Sequence, residues 1–472
     1  MELRSQEFKP RAVIALKDAT LQQALGKARD GFVGKRAAAA AELPEFETLR
    51  EEARQAKDHI LDHLDHYLVQ YEEAVKRQGG HVHWARDAQE ARQIVLDICR
   101  RAGARTVCKG KSMVSEEIGL NEALQGAGMD VVETDLGEYI IQLAGEPPSH
   151  IIAPAVHKTR AQISELFQQH HARPRLDTVP ELVNEARQML RGKFFAADVG
   201  ITGGNFLVAE TGSSIIVTNE GNGDLTQTLA RVHIVTSGIE RVVPTLDDAA
   251  LFLRLLARSA TGQDTECYTT LSSGPRRPDD LDGPQEYHVV LVDNGRSRML
   301  SGPYREMLRC IRCGACMNHC PVYGAIGGHA YGWVYPGPMG AVLTPLFAGL
   351  DGTKDLPHAC TLNGRCQSVC PVKIPLPDLL RELRHEQFKQ GMVPASQRTM
   401  MAGWGFVARR PALHEALARV AARVLKLLGR GRARISRLPM ASGWTDSRDL
   451  PAPQGRTFLE QWKDRPSREP ER

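Results

Sequence analysis

Seven of the ten cysteines fall between positions 310 and 370, and their spacing is that of metal ligands rather than a disulfide framework. The first run is Cys310-x2-Cys313-x2-Cys316-x3-Cys320-Pro321. Three cysteines at intervals of three can wrap one corner of a cubane iron–sulfur cluster, while a fourth followed by proline is directed to a second cluster. Zinc would more typically use two separated C-x2-C pairs. The second run is Cys360-x5-Cys366-x3-Cys370-Pro371. By the same crossing logic Cys310, Cys313, Cys316 and Cys370 are expected to hold cluster 1, a [4Fe–4S], and Cys320, Cys360 and Cys366 to hold cluster 2. The remaining ligand position, three after Cys360, is Asn363. An amide replaces a soft thiolate poorly, so cluster 2 is expected as [3Fe–4S], or as [4Fe–4S] with one unusual or labile ligand.

Outside that module the chemistry is less local. Cys99, Cys108 and Cys267 are expected to be buried, inert thiols. Lys109, Lys111 and Ser112 follow a predicted strand and open a helix, where they could hold a carboxylate or phosphate, or be a turn with solvated lysines. The loop is not of Walker A type. The glycine-rich stretch 200–212 reads either as two strands meeting at tight turns or as a site around Glu210; Glu138, His157 and Lys158 are further polar candidates. No catalytic residue is assigned. No dinucleotide fingerprint follows a strand, so no usual site for a hydride carrier is visible.

These residues need a scaffold, and the chain is long enough, at 472 residues, for two to three domains. Residues 1–44 read as an irregular extension with a helical scrap at 37–41. A long helix is expected at 45–77. Strand candidates then lie at 81–84, 105–108, 130–133, 150–153, 205–208, 214–217, 233–236 and 288–292, with helices between them at 87–102, 180–191 and 246–260. That alternation predicts an α/β domain with a substantially parallel sheet over 45–298. The cysteine module spans 299–390, and a basic helical region 391–472. Within the last, Leu413, Leu417, Val420, Val424 and Leu427 form a heptad-like stripe on a helix at 411–428, with Arg419, Arg423 and Lys426 off the stripe; the stripe is expected to be buried against the chain's own body, a partner subunit or a membrane surface. From 430 on, the tail is expected to be irregular.

The composition, 42% hydrophobic and 25% charged, is that of a soluble globular chain, and a net charge of +4 gives no reason to expect nucleic-acid binding. No apolar run is long enough for a membrane helix, and the start lacks a signal-peptide core. Cysteines used for metal binding suggest a reducing compartment. The expectation is cytoplasmic.

Two resemblances add to this. The second cysteine run resembles that of the iron–sulfur subunits of succinate dehydrogenase and fumarate reductase, where the same cysteine is missing and a [3Fe–4S] cluster is held; this implies an α-helical ferredoxin fold. Across nearly the whole chain, GITGGNFLVAETGSSIIVTNE (200–220), VYGAIGGH (322–329), PGPMGAVLT (336–344) and CPVKIP (370–375) resemble the lactate-utilisation iron–sulfur proteins, the LutB family. That resemblance implies a lactate-utilisation (LUD) domain of NagB/RpiA/CoA-transferase-like fold. It implies two partners, a cysteine-rich iron–sulfur protein and a second LUD-domain protein, and joint oxidation of L-lactate to pyruvate. Glu210 would then resemble the CoA-transferase nucleophile. The family usually carries two [4Fe–4S] clusters, and Asn363 departs from that. Three functions follow as expectations: an electron-transfer subunit, a catalytic hydroxy-acid oxidoreductase with its site in the α/β domain, or a quinone-linked subunit at the membrane surface.

Overall fold

In this computed structural model the chain divides into two compact units, Met1–Gln387 and Phe388–Arg472; residues 2–429, 431–438, 445 and 448–465 are described. The first unit is built on ten strands, β1 (His81–Ala85), β2 (Thr106–Lys109), β3 (Asp130–Glu133), β4 (Val199–Gly203), β5 (Phe206–Val208), β6 (Ser213–Thr218), β7 (Val232–Gly238), β8 (Val242–Val243), β9 (Tyr268–Ser272) and β10 (Glu286–Val292). Six of them form one sheet in the order β1-β10-β7-β4-β2-β3, every pairing parallel. The interior strands β7 and β10 are buried almost throughout, as strands are when helices cover both faces of a parallel sheet. A smaller sheet, β8-β5-β6-β9, stands beside it.

Seven of the eight expected strands form. The one at 150–153 does not: the ring of His150 takes the amides of Ile152 and Ala153 at 3.0 and 3.2 Å, so these donors are lost to any ladder. In its place is a loop that carries Ile151. Strand β4, missing from the expected set, lies at the sheet centre. Its glycine dilutes the strand pattern but is required: a Cβ on Gly200 would stand 1.9 Å from the carbonyl oxygen of Thr226. The glycine-rich stretch is thus two strands and a tight turn, with Gly212 at φ 71°.

Two further expectations are corrected. The helix at 45–77 is two, Phe46–Asp62 and Leu64–Arg77, broken where His63 leaves helical geometry. The supposedly irregular N-terminal extension is helical over Phe8–Lys17 and Ala19–Ala41, with the Asp18 carboxylate capping the second helix. Its weak apolar stripe hid it. These helices and the turn before them hold the cysteine module through apolar contacts, such as Phe8 against the Tyr331 ring at 5.5 Å, and through polar ones. Ser5 donates to the Tyr331 carbonyl (2.8 Å), Gln22 to that of Ala325 (2.7 Å) and Arg36 to that of Val369 (3.0 Å).

The second unit contains helices Ala395–Ala408 and Pro411–Leu428. The latter forms where the heptad stripe placed it, but the chain's own body does not bury the stripe: Leu417, Val420, Val424 and Leu427 are 46–75% exposed, and only Ala422 of this helix is buried. The tail is not wholly irregular either. Arg434–Ile435 pairs with Leu450–Pro451, and Phe458–Lys463 is a capped helical turn; positions 430, 439–444, 446–447 and 466–472 of the expected irregular tail lie outside the described residues. No helix among the described residues is long and apolar enough to cross a membrane.

Candidate iron–sulfur centre and adjoining cavity

The two cysteine runs share one backbone form. Cys310, Cys316 and Cys320 recur as Cys360, Cys366 and Cys370 at a constant offset of 50 residues. Arg312 and Leu362 both take positive φ (60° and 57°), as do the following Gly314 and Gly364 (73° and 78°). Each run then enters a four-residue helix, Ala315–Asn318 or Arg365–Ser368, and ends in Cys-Pro. Such φ values are costly for Arg and Leu and persist only where surrounding structure imposes them.

Cys310, Cys313, Cys316 and Cys370 line one small cavity, walled by apolar side chains including Ile151, Ile311 and Ile374. Burial pushes the Cys313 thiol up to about 12, and the neighbouring Cys370 adds to the shift. Burial likewise raises Cys316, with Cys310, Cys313, Cys370 and then Cys366 contributing. Cys366 is pushed up to about 12 by burial, then by Cys360 and Cys320. Four thiols thus line the cavity as a quartet, and Cys320, Cys360 and Cys366 form a trio beside it, with Cys316 and Cys366 near enough to interact. A bound metal is what would draw the protons off the raised thiols Cys313, Cys316 and Cys366. Amides point at three of the sulfurs: Tyr323 N to Cys320 (3.5 Å), Leu362 N to Cys360 (3.3 Å) and Ile374 N to Cys370 (3.4 Å). Arg50 fixes the second Cys-Pro corner through the carbonyls of Ser368 and Cys370, at 2.8 and 2.7 Å. Converging sulfurs, an apolar wall and N–H donors to sulfur suit an iron–sulfur cluster.

Asn363 stands where Cys313 stands in the first run. The Cys313 sulfur accepts a hydrogen bond from the Ala315 amide, and the Asn363 Oδ1 accepts one from the Arg365 amide at 3.0 Å. Asn363 is exposed, beside the half-buried Cys360. Of the other cysteines, Cys99 and Cys108 are buried, and burial raises each to about 12. Cys267 is exposed, against expectation, because the edge of β9 beside it carries little cover.

A cavity of about 540 Å3 opens at the carboxyl ends of β2, β4 and β7. The chain passes outward from β2 to β3 and then returns to β4 on the other side of β2. Such a reversal leaves a crevice where ligands of α/β proteins sit. Lys111, Ser112, Asn205, Thr236, Arg241 and Arg312 are among its lining. Ile151 and Arg312 line both this cavity and the cysteine cavity, so one layer of side chains separates the two.

The cationic candidates of the sequence separate here. Lys111 and Ser112 line the cavity; the Lys111 ammonium donates to the Ile152 carbonyl at 2.5 Å. Lys109 does not. It is fully buried, between Glu116 (2.9 Å) and Glu133 (2.8 Å). Glu138 lies by that group, and burial holds its carboxyl well above the usual range. His157 (Nε2) and Lys158 both meet Glu146, the former at 2.7 Å, and the ring of His157 packs on that of His329. Lys158 already neutralises that carboxylate, so the group reads as an interlock between domain and module. Glu210 is exposed and accepts from the Leu246 amide at 2.8 Å, capping a helix away from the cavity lining.

Sequence reasoning missed a buried network at the shared wall. Arg296 pairs with Glu117 (2.9 Å) and Glu240 (2.7 Å), and Tyr335 donates to Glu117 (2.6 Å). Arg312 stacks on Tyr335, 4.4 Å from its centroid, with Glu240 at 3.5 Å. Arg241 has Glu240 as its nearest carboxylate, at 4.0 Å. The one local signal was an arginine, Arg312, between two of the clustered cysteines.

Known proteins carry matching parts. A family described as LUD domain matches residues 68–292, a 4Fe-4S dicluster domain 306–374, and "Lactate utilisation protein B, C-terminal" 383–467. Lactate utilization protein B of Bacillus licheniformis is 43% identical over 470 residues, covering 98% of each chain. The protein of that name from Bacillus cereus strain B4264 is 42% identical over 467 residues with the same coverage. A solved DUF162 family protein from Deinococcus radiodurans matches 48% of this chain and 98% of its own at 15% identity and a TM-score of 0.28, too distant to carry a fold argument.

Proposed function

Since the chain belongs to the lactate utilization protein B family, and so acts in lactate utilisation as an iron–sulfur protein, we propose that it is the electron-transfer subunit of a multi-protein system oxidising L-lactate to pyruvate. Its proposed partners are a cysteine-rich iron–sulfur protein and a second LUD-domain protein, in the cytoplasm. The α/β region is proposed to be of the NagB/RpiA/CoA-transferase type; its parallel sheet supports this.

The observation that carries the reading is the pair of cysteine runs in one backbone form, with four thiols lining one cavity. Cys310, Cys313, Cys316 and Cys370 are the proposed ligands of a [4Fe–4S] cluster 1. Cys320, Cys360 and Cys366 are those of cluster 2, which is [3Fe–4S] or a [4Fe–4S] with a labile iron, because Asn363 fills the fourth position. A bound cluster supplies one-electron acceptance and release. The chain's part is to desolvate the site with Ile151 and Ile374, to aim amides at sulfur, and to hold the Cys-Pro corner with Arg50. A second reading, a catalytic site for the hydroxy acid in the α/β cavity, is favoured by the wall that this cavity shares with the cysteines.

The test is anaerobic purification of the chain, alone and with the two partners, followed by lactate addition. Clusters that become reduced only in the mixture support the first reading. Reduction in the lone chain, at a rate like that of the mixture, replaces it with the second.

A further inference from the structure

The cavity's wall next to the cysteines holds more buried positive charge than it neutralises. Arg241, Arg296 and Arg312 meet two carboxylates, Glu117 and Glu240, and Arg296 takes the close contacts of both. Lys57, also buried, donates to the Glu240 backbone carbonyl at 2.7 Å, and burial lowers its ammonium to about 8. Arg312 has the Tyr335 ring beneath it, Glu240 at 3.5 Å, and one weak donor contact, to the Met339 sulfur at 3.3 Å. Arg241 is 7% exposed and, among the described residues, donates no hydrogen bond; Glu240 at 4.0 Å is beyond that reach. A buried guanidinium carries five N–H donors and is costly to leave unsatisfied. Both arginines line the cavity. Of the acidic groups in the lining, Asp135 and Glu220 cluster around Lys111, and Glu266 lies against the Ala257 backbone.

We propose that Arg241 and Arg312 form a carboxylate-binding site in the α/β cavity, against the wall of the four-cysteine centre, and that its ligand is a small 2-hydroxy or 2-oxo carboxylate. The anion follows from the unsatisfied guanidinium, whose planar fork matches a carboxylate. Ile151, in the same wall, offers the carbon chain an apolar surface. The identity of the acid rests on the lactate reading above; the position of its carboxylate does not. The rival role for these arginines is to offset the negative charge of thiolates and cluster, which requires no ligand.

The experiment uses the full chain with its clusters loaded anaerobically, and reads calorimetric binding and the EPR spectrum of the reduced protein at fixed ionic strength. The probes are L-lactate, pyruvate and inorganic phosphate. Lactate and pyruvate are expected to bind once per chain and to alter the spectrum of one cluster. Arg241→Gln should weaken that binding by about tenfold to a hundredfold, the loss of a charge-assisted pair, and Arg241→Lys should recover part of it. Iron content at the wild-type level confirms that each variant is folded. No binding to the wild type, binding untouched by Arg241→Gln, or phosphate binding as well as lactate would each overturn the proposal. Lactate-dependent reduction in the partnered system without any binding to the lone chain sinks this inference and leaves the electron-transfer reading intact. Binding without reduction in that system does the reverse.

Discussion

Asn363 differs from Cys313 in its side chain while sharing its backbone surroundings, down to the amide two residues on that its side chain accepts from. The substitution Asn363→Cys therefore places a thiol in a ligand-shaped turn with no backbone change. An air-oxidised wild-type chain should hold about seven iron atoms and show an oxidised three-iron EPR signal; the variant should hold about eight and lose it. Eight tightly held irons in the wild type, surviving oxidation without that signal, would discard the three-thiolate assignment. Cys313→Ser should damage the cluster of the quartet and spare that of the trio, read as one surviving EPR spectrum. A further residue-scale effect concerns acid stability. His233 is buried on β7, hydrogen-bonded to Thr202 at 2.8 Å, and burial lowers it to about 3. The unfolded chain takes up a proton near the ordinary histidine value of about 6.5 while the folded one does not. Stability from this group is thus present above about 6.5 and falls with pH below it, by about 1.4 kcal/mol per unit down to about 3. The difference in unfolding free energy between wild type and His233→Gln should shrink along that slope on acidification; a difference constant with pH refutes the assignment. The cysteines were legible because ligand spacing is a local pattern. Arg241 and Arg312 were not, since folding alone brings them to one wall.

At the scale of elements, what the sequence hid and what it showed have the same cause. Strands β7 and β10 announce themselves by apolar runs, whereas β4 is masked by the glycine that lets the helix Asn222–Leu229 lie against it. Gly200→Ala forces a Cβ into a backbone carbonyl and should cost about 1–3 kcal/mol or more in denaturant unfolding. Gly126→Ala, with nothing within 4 Å and ordinary helical backbone, should be neutral or stabilising by up to about 1 kcal/mol. Equal losses in the two variants would mean that the close approach at β4 is not what the glycine serves. The N-terminal helices were hidden because their buried apolar residues, Phe8 and Leu25 among them, are sparse, and polar contacts of Ser5, Gln22 and Arg36 share the grip on the module. The helix Pro411–Leu428 shows the opposite failure: periodicity found the helix but not what covers its stripe. With Val424 47% exposed, Val424→Ser should change the chain's unfolding free energy by about 0.5 kcal/mol or less. A loss above about 1.5 kcal/mol would restore the buried stripe.

At the scale of the molecule, the arrangement bears on whether the chain can act alone. Lactate gives up two electrons as a pair, and a hydride carrier such as a flavin or nicotinamide ordinarily takes them. The parallel sheet does present a crevice where its order reverses. Its glycines, however, serve close packing: Gly203 faces Ser112 and Gly204 faces Leu207 and Ser237, rather than cradling a pyrophosphate. What lies against that crevice is a set of four thiols suited to one-electron chemistry. A carboxylate held there by Arg241 and Arg312 would be bound but not oxidised until something accepts the pair. The expected outcome is that the lone chain, loaded with clusters and given lactate and an artificial one-electron acceptor under anaerobic conditions, shows no steady turnover. Adding the two proposed partners should start it, and Cys313→Ser or Cys366→Ser should stop it while the α/β region keeps its far-UV circular dichroism. Anaerobic spectrophotometry follows all three. Turnover by the lone chain at the rate of the mixture would move the oxidation itself into the α/β cavity, with Arg241 then a substrate-binding residue of an enzyme rather than of a relay.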